Sequence, residues 1–269
     1  MPLIIHSSST KKYAEKIAKE YKNPQLIHIK TIKKPRPQKD PIVIGIGGGK
    51  VLDYAKVIAG ENPATLIPTT ASGAAATDHA VYWDTETQRK IDIPTKQPKI
   101  RIEPSFLKKL PKNILKQTSY DALAHTLDSY WSKKANKESI DLSKKAHKII
   151  IKQIKNNYNN VPELIKAGNL AGKAINITGT NMTHAISYPL TAIYKIPHGK
   201  ALGWLIPICA EYQECTLEIP EIKTKLEKIK INKNFINKVA SEAMTYKKIH
   251  DAKKDITKKQ LIKLLEKKT

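Results

Sequence analysis

The first hundred residues alternate short apolar runs with helically patterned ones. "LIIH" (3–6), "QLIHI" (25–29), "PIVIGI" (41–46) and "ATLIPTT" (64–70) are bounded by turn-forming stretches and read as buried strands. Between them, "TKKYAEKIAKEY" (10–21) and "VLDYAKVIAG" (51–60) place apolar residues three and four apart, the period of a helix with one buried face. Strands alternating with helices imply a mostly parallel sheet. From about residue 105 the pattern turns wholly helical. "LPKNILKQTSYDALAHTLDSYWSKKA" and "SIDLSKKAHKIIIKQIKNNY" keep the three-and-four spacing, and Thr257 with Gln260 is placed as a capping box before "LIKLLEKK". The expected architecture is an α/β nucleotide-binding domain over 1–104 and an all-α domain over 105–269, with a cleft between them.

Composition adds little until charge is considered. The 269 residues are 40% hydrophobic and 27% charged, which is ordinary for a globular protein. No apolar run approaches the roughly 20 residues of a membrane span. "MPLIIHSSST" is too short and too weakly basic for a secretion leader. Cys209 and Cys215 make neither a disulfide framework nor a zinc site, so a reducing cytoplasm is the expectation. The net charge is +24, which raises nucleic-acid binding as a rival function. The lysines, however, are spread along the whole chain and interleave with Ile and Leu at helical spacing. Aromatics are only 6%, and no nucleic-acid-binding motif is present. These lysines read as solvated helix faces, and no nucleic-acid partner is expected.

Two stretches carry candidate chemistry. Gly47, Gly48 and Gly49 stand between a buried strand and a helix. There a glycine run serves either as a tight turn or as a phosphate cradle at the helix N-terminus. It matches neither the dinucleotide fingerprint, because Lys50 holds the last glycine position, nor the P-loop, because Ile44 and Val51 hold its ends. The second stretch begins with Asp121 and His125, four apart in a helix and so one turn apart on a shared face. They are either two metal ligands or a simple hydrogen-bonded pair. His184 and His198 follow, separated by Pro189 and Pro197, which should put them on different elements. One carboxylate and three imidazoles suit a divalent first-row metal such as iron or zinc. His6, His28, His79, His147 and His250 lack such patterning and read as surface or packing residues.

At these residues the chain resembles the iron-dependent alcohol dehydrogenases, whose superfamily includes dehydroquinate synthase and glycerol dehydrogenase. "GIGGGKVLDYAK", "IPTTASG", "RKIDIP", "YDALAHTLDSYWS", "AGKAINITGTNMTHAISYPLT" and "IPHGKAL" follow the family's order. The form of the later motifs most resembles the phosphonoacetaldehyde reductase-like branch. The resemblance implies the dehydroquinate synthase-like fold, an NAD(P) cofactor, a divalent metal (Fe2+, with Zn2+ the alternative) and a homodimer. It implies Asp121, His125, His184 and His198 as metal ligands. Gly47, Gly48, Gly49, Lys50, Asp53, Thr69, Thr70 and Lys90 would lie along the cofactor.

The implied activity is hydride transfer between NAD(P)H and a small aldehyde or primary alcohol. The branch and the basic charge point to a phosphonate-bearing substrate, phosphonoacetaldehyde giving 2-hydroxyethylphosphonate. The alternatives are a glycerol or glycerol-phosphate dehydrogenase-like enzyme, and a trimmed paralogue that binds nucleotide or nucleic acid without turnover. Tyr188 stands where many relatives have a further histidine, and as a hydrogen-bond donor it is the candidate catalytic side chain. Pro197 and Gly199 would form the turn that aims His198 into the cleft. The chain is expected to be short at both ends, and Lys30, Lys33 and Lys34 replace the acidic residue that favours NAD, leaning the cofactor towards NADP.

Overall fold

Strands buried on both faces organise the amino-terminal part. Its strands are β1 (Pro2–His6), β2 (Gln25–His28), β3 (Ile42–Gly47), β4 (Thr65–Pro68), β5 (His79–Trp83), β6 (Lys90–Pro94) and β7 (Lys99–Ile100). Five of them form one parallel sheet in the order β2-β1-β3-β4-β7, while β5 and β6 pair as a separate antiparallel hairpin. Leu3, Ile5 and Val43 face one side and pack on Val51, Leu52, Ala55 and Ile58 of helix α2 (Gly49–Ala59). Ile4, Ile44, Ile46 and Ile67 face the other and meet Ala14 and Ile17 of helix α1 (Lys11–Ala18), with Phe106. Successive strand residues point to opposite faces, so a sheet covered by helices on both sides needs continuous apolar runs. The computed structural model describes all residues except 31–34, 40, 84–89, 108–109, 218, 220–232 and 268–269.

The carboxyl-terminal part is helical: α3 (Pro104–Leu107), α4 (Lys112–Tyr130), α5 (Lys137–Lys155), α6 (Val161–Thr178), α7 (Met182–Ala192), α8 (His198–Tyr212), α9 (Lys233–Ala243) and α10 (Lys258–Glu266). Helix α4 lies at its centre. Every residue from Ser119 to Ser129 except Asp121 is buried, so α4 has no solvent stripe and is wrapped by its neighbours. Leu123 and Leu127 share a core with Ile150 and Ile154 of α5, Leu164 of α6, and Leu202 and Leu205 of α8. Each such side chain, fully buried, contributes roughly 1.5–3 kcal/mol. Asn136 and Asn160 cap α5 and α6, and the Thr257–Gln260 capping box opens α10. Among the described residues no helix is long and apolar enough to cross a membrane.

The two parts meet at the loop that leaves β4. Gly73 there adopts φ +90°, a backbone region that favours glycine. A Cβ on Gly73 or on Gly168 or Gly172 of α6 would fall inside a facing backbone carbonyl. The three glycines therefore let the loop lie directly on α6. The Ala71 N–H donates to Thr118 Oγ1 of α4 (3.3 Å), and the Asp78 N–H donates to Asn176 Oδ1 of α6 (2.8 Å).

His184 and His198 sit on α7 and α8, as the intervening prolines predict, but the prolines act differently from expectation. Pro189 lies inside α7 and Pro197 is the N-cap residue of α8. Gly199 belongs to α8 rather than to a turn, and its missing Cβ lets that helix lie against the Gln117 carbonyl of α4.

A candidate metal centre beside a glycine loop

Three imidazoles converge on one carboxylate oxygen. Nε2 of His184, His125 and His198 lies 3.4, 3.6 and 3.8 Å from Oδ1 of Asp121. The ligand atoms of Asp121, His184 and His198 all lie within 4.8 Å of one another. His125 joins them through Asp121, and its ring stacks on His184 with centroids 4.6 Å apart. The four residues come from three helices: α4 supplies the one-turn pair, the first turn of α7 supplies His184, and His198 is the first residue of α8.

The opposite nitrogen of each ring has its own acceptor. Nδ1 of His184 donates to Oδ2 of Asp128 (2.8 Å), and Nδ1 of His125 to the Ser72 carbonyl (2.9 Å). Nδ1 of His198 lies 3.5 Å from the Ser187 hydroxyl, which itself donates to the His184 carbonyl. A proton held on Nδ1 leaves the Nε2 lone pair facing the shared centre. Asp128 also accepts from the backbone N–H groups of Asn181, Thr183 and His184, so it caps α7 from outside that helix.

This arrangement shifts the titration of the groups. Burial works to raise the Asp121 carboxyl, but the imidazole of His125, the bond to His184 and the charge of His198 outweigh it and hold Asp121 well below the usual carboxylate range. Burial works to lower His184, yet its bonds to Asp121 and Asp128 prevail, and its imidazole is pushed up to about 9. Burial opposes the ionised form of Asp128 too, but the His184 bond keeps it below its ordinary value. A pocket this favourable to positive charge is what a divalent cation needs.

Beyond Ser72 the same loop leads to the carboxyl ends of β3 and β4. Gly47 is buried, Gly48 is the N-cap of α2, and Gly49 and Lys50 open that helix, Lys50 being exposed. The Thr69 N–H donates to the Gly47 carbonyl (2.9 Å), and a Cβ on Gly48 would press on Thr70 Cγ2 at 3.1 Å. The glycine notch therefore faces Thr69 and Thr70, with the first N–H groups of α2 directed at it. The strand order reverses between β1 and β3, so the notch at the end of β3 borders the sheet's switch point, where open α/β sheets bind ligands.

Other site residues lie where only long-range contacts decide. Asp53 accepts from Nζ of Lys56 (3.1 Å), which is buried and also donates to the Ala74 and His79 carbonyls and to Thr77 Oγ1. Lys56 thus ties α2 to the loop and to β5. Tyr188 is buried, stacked on His198 and edge-on to His184. Lys33, Lys34 and the Lys90 side chain lie outside what is described; Lys30, just beyond β2, is exposed.

Asp128, Ser72, Lys56 and Lys248 are site neighbours that the motifs did not single out. Only Asp128 had a readable signal. It stands seven residues after Asp121 and three after His125, on the same helical face.

Two family models match the chain in order: iron-containing alcohol dehydrogenase over residues 16–102, and the C-terminal model of the Fe-containing alcohol dehydrogenase family over residues 116–218. Together they span more than half of the sequence. A phosphonoacetaldehyde reductase from Streptomyces viridochromogenes is 29% identical over 199 residues, covering 60% of this chain and 50% of that protein. A long-chain-alcohol dehydrogenase from Geobacillus thermodenitrificans is 26% identical over 239 residues, covering 76% and 59%. The chain thus spans about half the length of the curated relatives it matches.

Among solved structures, an iron-containing alcohol dehydrogenase from Thermotoga maritima superposes with a TM-score of 0.82 at 23% identity, covering 99% of this chain and 90% of that one. A sulfoacetaldehyde reductase from Bifidobacterium kashiwanohense, solved in complex with NAD+, superposes with a TM-score of 0.81 at 18% identity, covering 99% and 90%. Identities this low support the fold.

Proposed function

This chain belongs to the iron-containing alcohol dehydrogenase family, and from that premise we propose that it transfers hydride between NAD(P)H and a small aldehyde or primary alcohol beside a divalent metal ion. The observation that carries the reading is the convergence of three Nε2 atoms on Asp121 Oδ1, with each Nδ1 facing an acceptor. The separations of 3.4–3.8 Å from Asp121 Oδ1 to the three Nε2 atoms are close to the roughly 3.3 Å between ligands of a four-coordinate ion with bonds near 2.0–2.1 Å. Nitrogen and carboxylate donors without thiolate suit ferrous iron, with zinc the alternative.

Asp121, His125, His184 and His198 would hold the ion, while Gly47, Gly48, Gly49, Thr69 and Thr70 would receive the dinucleotide. When bound, the metal supplies a Lewis acid for a carbonyl oxygen and the nicotinamide supplies the hydride.

The chain's own residues then do three things. Asp128, Ser72 and Ser187 hold protons on the far nitrogens and fix each ring's direction. The glycine notch gives a pyrophosphate backbone N–H groups in place of water, with Asp53 and Lys56 holding α2 in register behind it. On the match of "RKIDIP" to the family, Lys90 would reach the same cofactor. Tyr188 presents a phenol beside the imidazoles, where it hydrogen-bonds the substrate oxygen and positions it.

The finer reading is an aldehyde bearing a phosphonate or a similar acid, such as phosphonoacetaldehyde. The chain's +24 charge and its similarity to a phosphonoacetaldehyde reductase support it. NADP(H) is favoured over NAD(H), because exposed Lys30 stands beyond β2 where an acidic residue would select NAD. The test is a panel of aldehydes with NADPH and NADH under anaerobic ferrous conditions. Oxidation of either cofactor, fastest with NADPH and phosphonoacetaldehyde, is the expected result. Turnover of none of the aldehydes would favour a non-catalytic paralogue.

A further inference from the structure

Lys248 lies in the single turn Lys247–Asp251 after α9, remote in sequence from every site motif. In space it stands against the site's wall. Its ammonium is 5.5 Å from the centre of the Tyr188 ring, a cation–π contact. The same ring stacks on His198 with centroids 6.2 Å apart and meets His184 edge-on at 6.4 Å. Tyr246 closes another side of Tyr188 at 5.0 Å.

The remaining partners of the ammonium are Thr180 Oγ1 at 3.3 Å and Asp92 Oδ2 at 3.4 Å. Asp92 belongs to β6 and Thr180 to the connection between α6 and α7, so Lys248 spans the junction of the two parts of the chain.

Lys56 provides the contrast. A structural lysine in this fold is fully enclosed and makes two bonds of 2.7 Å to carbonyls. The Lys248 side chain instead keeps 26% of its surface, and its carboxylate partner keeps 46%. Bonds of 3.3–3.4 Å are at or beyond the long end of the N–H···O range, and an ion pair this exposed is weak. Shorter charge-assisted bonds from an incoming oxyanion would displace them. The Tyr188 ring thus has the ammonium at 5.5 Å and the two imidazoles at 6.2 and 6.4 Å, so Lys248 stands one aromatic ring away from the metal-site histidines.

We propose that Lys248 binds the anionic group of the substrate and so selects small aldehydes that carry a phosphonate, sulfonate or carboxylate. This rests on the reductase reading above. Asp92 then acts as the resident counter-ion that the substrate acid replaces, and Tyr188 carries the contact between the acid-binding end and the metal end.

The test separates binding from turnover. Ethylphosphonate, ethanesulfonate, propionate and neutral 1-propanol are titrated calorimetrically into the metal-loaded full chain, wild type and variants, with thermal melting to confirm folding. At least one of the three anions should bind more tightly than 1-propanol, and their order identifies the acid. Lys248→Met should weaken that anion at least tenfold, and Lys248→Arg should hold it within about threefold. Asp92→Asn should tighten it, because the competing carboxylate is gone; a merely structural tie would not give that gain.

In steady state, the kcat/KM ratio of phosphonoacetaldehyde over propanal should fall at least tenfold in Lys248→Met, mostly through KM. Equal anion affinity in wild type and Lys248→Met would overturn the proposal, as would no anion binding by the wild type. Anion binding lost in Lys248→Met but with no turnover by the wild type would leave Lys248 as the anion site and count against the reductase reading instead.

Discussion

Nδ1 of His125 donates to the backbone carbonyl of Ser72 at 2.9 Å, so the loop leaving the sheet fixes the direction of a metal-site imidazole on α4. A carbonyl accepts whatever side chain its residue carries, and the bond therefore depends on where the loop lies. The loop is held by the contact of Gly73 with Gly168 and Gly172 on α6. Gly172→Val should force the loop off α6. We expect a loss of about 1–3 kcal/mol in denaturant melts, together with weaker metal binding measured by chelator competition. A stability loss with unchanged metal affinity would separate the loop from His125.

Asp128 serves two structures at once, capping α7 and orienting His184. Asp128→Asn keeps the shape but removes the charge. Metal affinity should fall about 10- to 100-fold, the usual effect of altering a ligand's hydrogen-bond partner. Asp128→Ala should in addition destabilise the metal-free chain by roughly 3–5 kcal/mol, since it strips one partner from a buried pair. If both variants bound metal as tightly as the wild type, Asp128 would be a helix cap and nothing more.

Gly199 permits the close approach of α8 to the Gln117 carbonyl, directly beside His198. In Gly199→Ala the helix start must move, costing about 1–3 kcal/mol and drawing His198 off the cluster. Anaerobic cobalt spectra would report this as altered ligand-field bands. Wild-type bands in a destabilised variant would show that the helix absorbs the strain elsewhere.

Lys56 gives a prediction away from the metal. Replacing it with Met takes the ammonium away from Asp53 and leaves the Ala74 and His79 carbonyls to share the single Thr77 hydroxyl. A loss of about 3 kcal/mol or more is expected from these groups together, with dinucleotide binding weakened in fluorescence titrations because α2 and the loop part company. Unchanged binding would confine Lys56 to stability.

How far the sequence shows these features depends on the distance between partners. The runs "LIIH" and "PIVIGI" correspond to β1 and β3 because a doubly covered strand is apolar on both faces. Asp121 and His125 were visible as a pair because one helical turn relates them, and His184 and His198 as separate because prolines intervene. The hairpin of β5 and β6 has no comparable signature. "HAVYW" and "KIDIP" are short, and charged and polar residues lie between them.

The Ser72 acceptor is a backbone atom and has no side-chain signature. Lys248 meets Asp92 across 156 residues of chain and Thr180 across 68, so no local pattern announces it. Pro197 and Gly199 read as a turn because both favour one, yet together they open and seat a helix. That outcome depends on the α4 backbone opposite them.

Asp121, His125, His184 and His198 together should hold one divalent ion. Elemental analysis of chain reconstituted anaerobically with ferrous iron, then desalted, measures it most directly. About one ion per wild-type chain is expected, and little above background in His198→Ala and Asp121→Asn, both still folded by circular dichroism. Equal metal content in the wild type and these variants would contradict it.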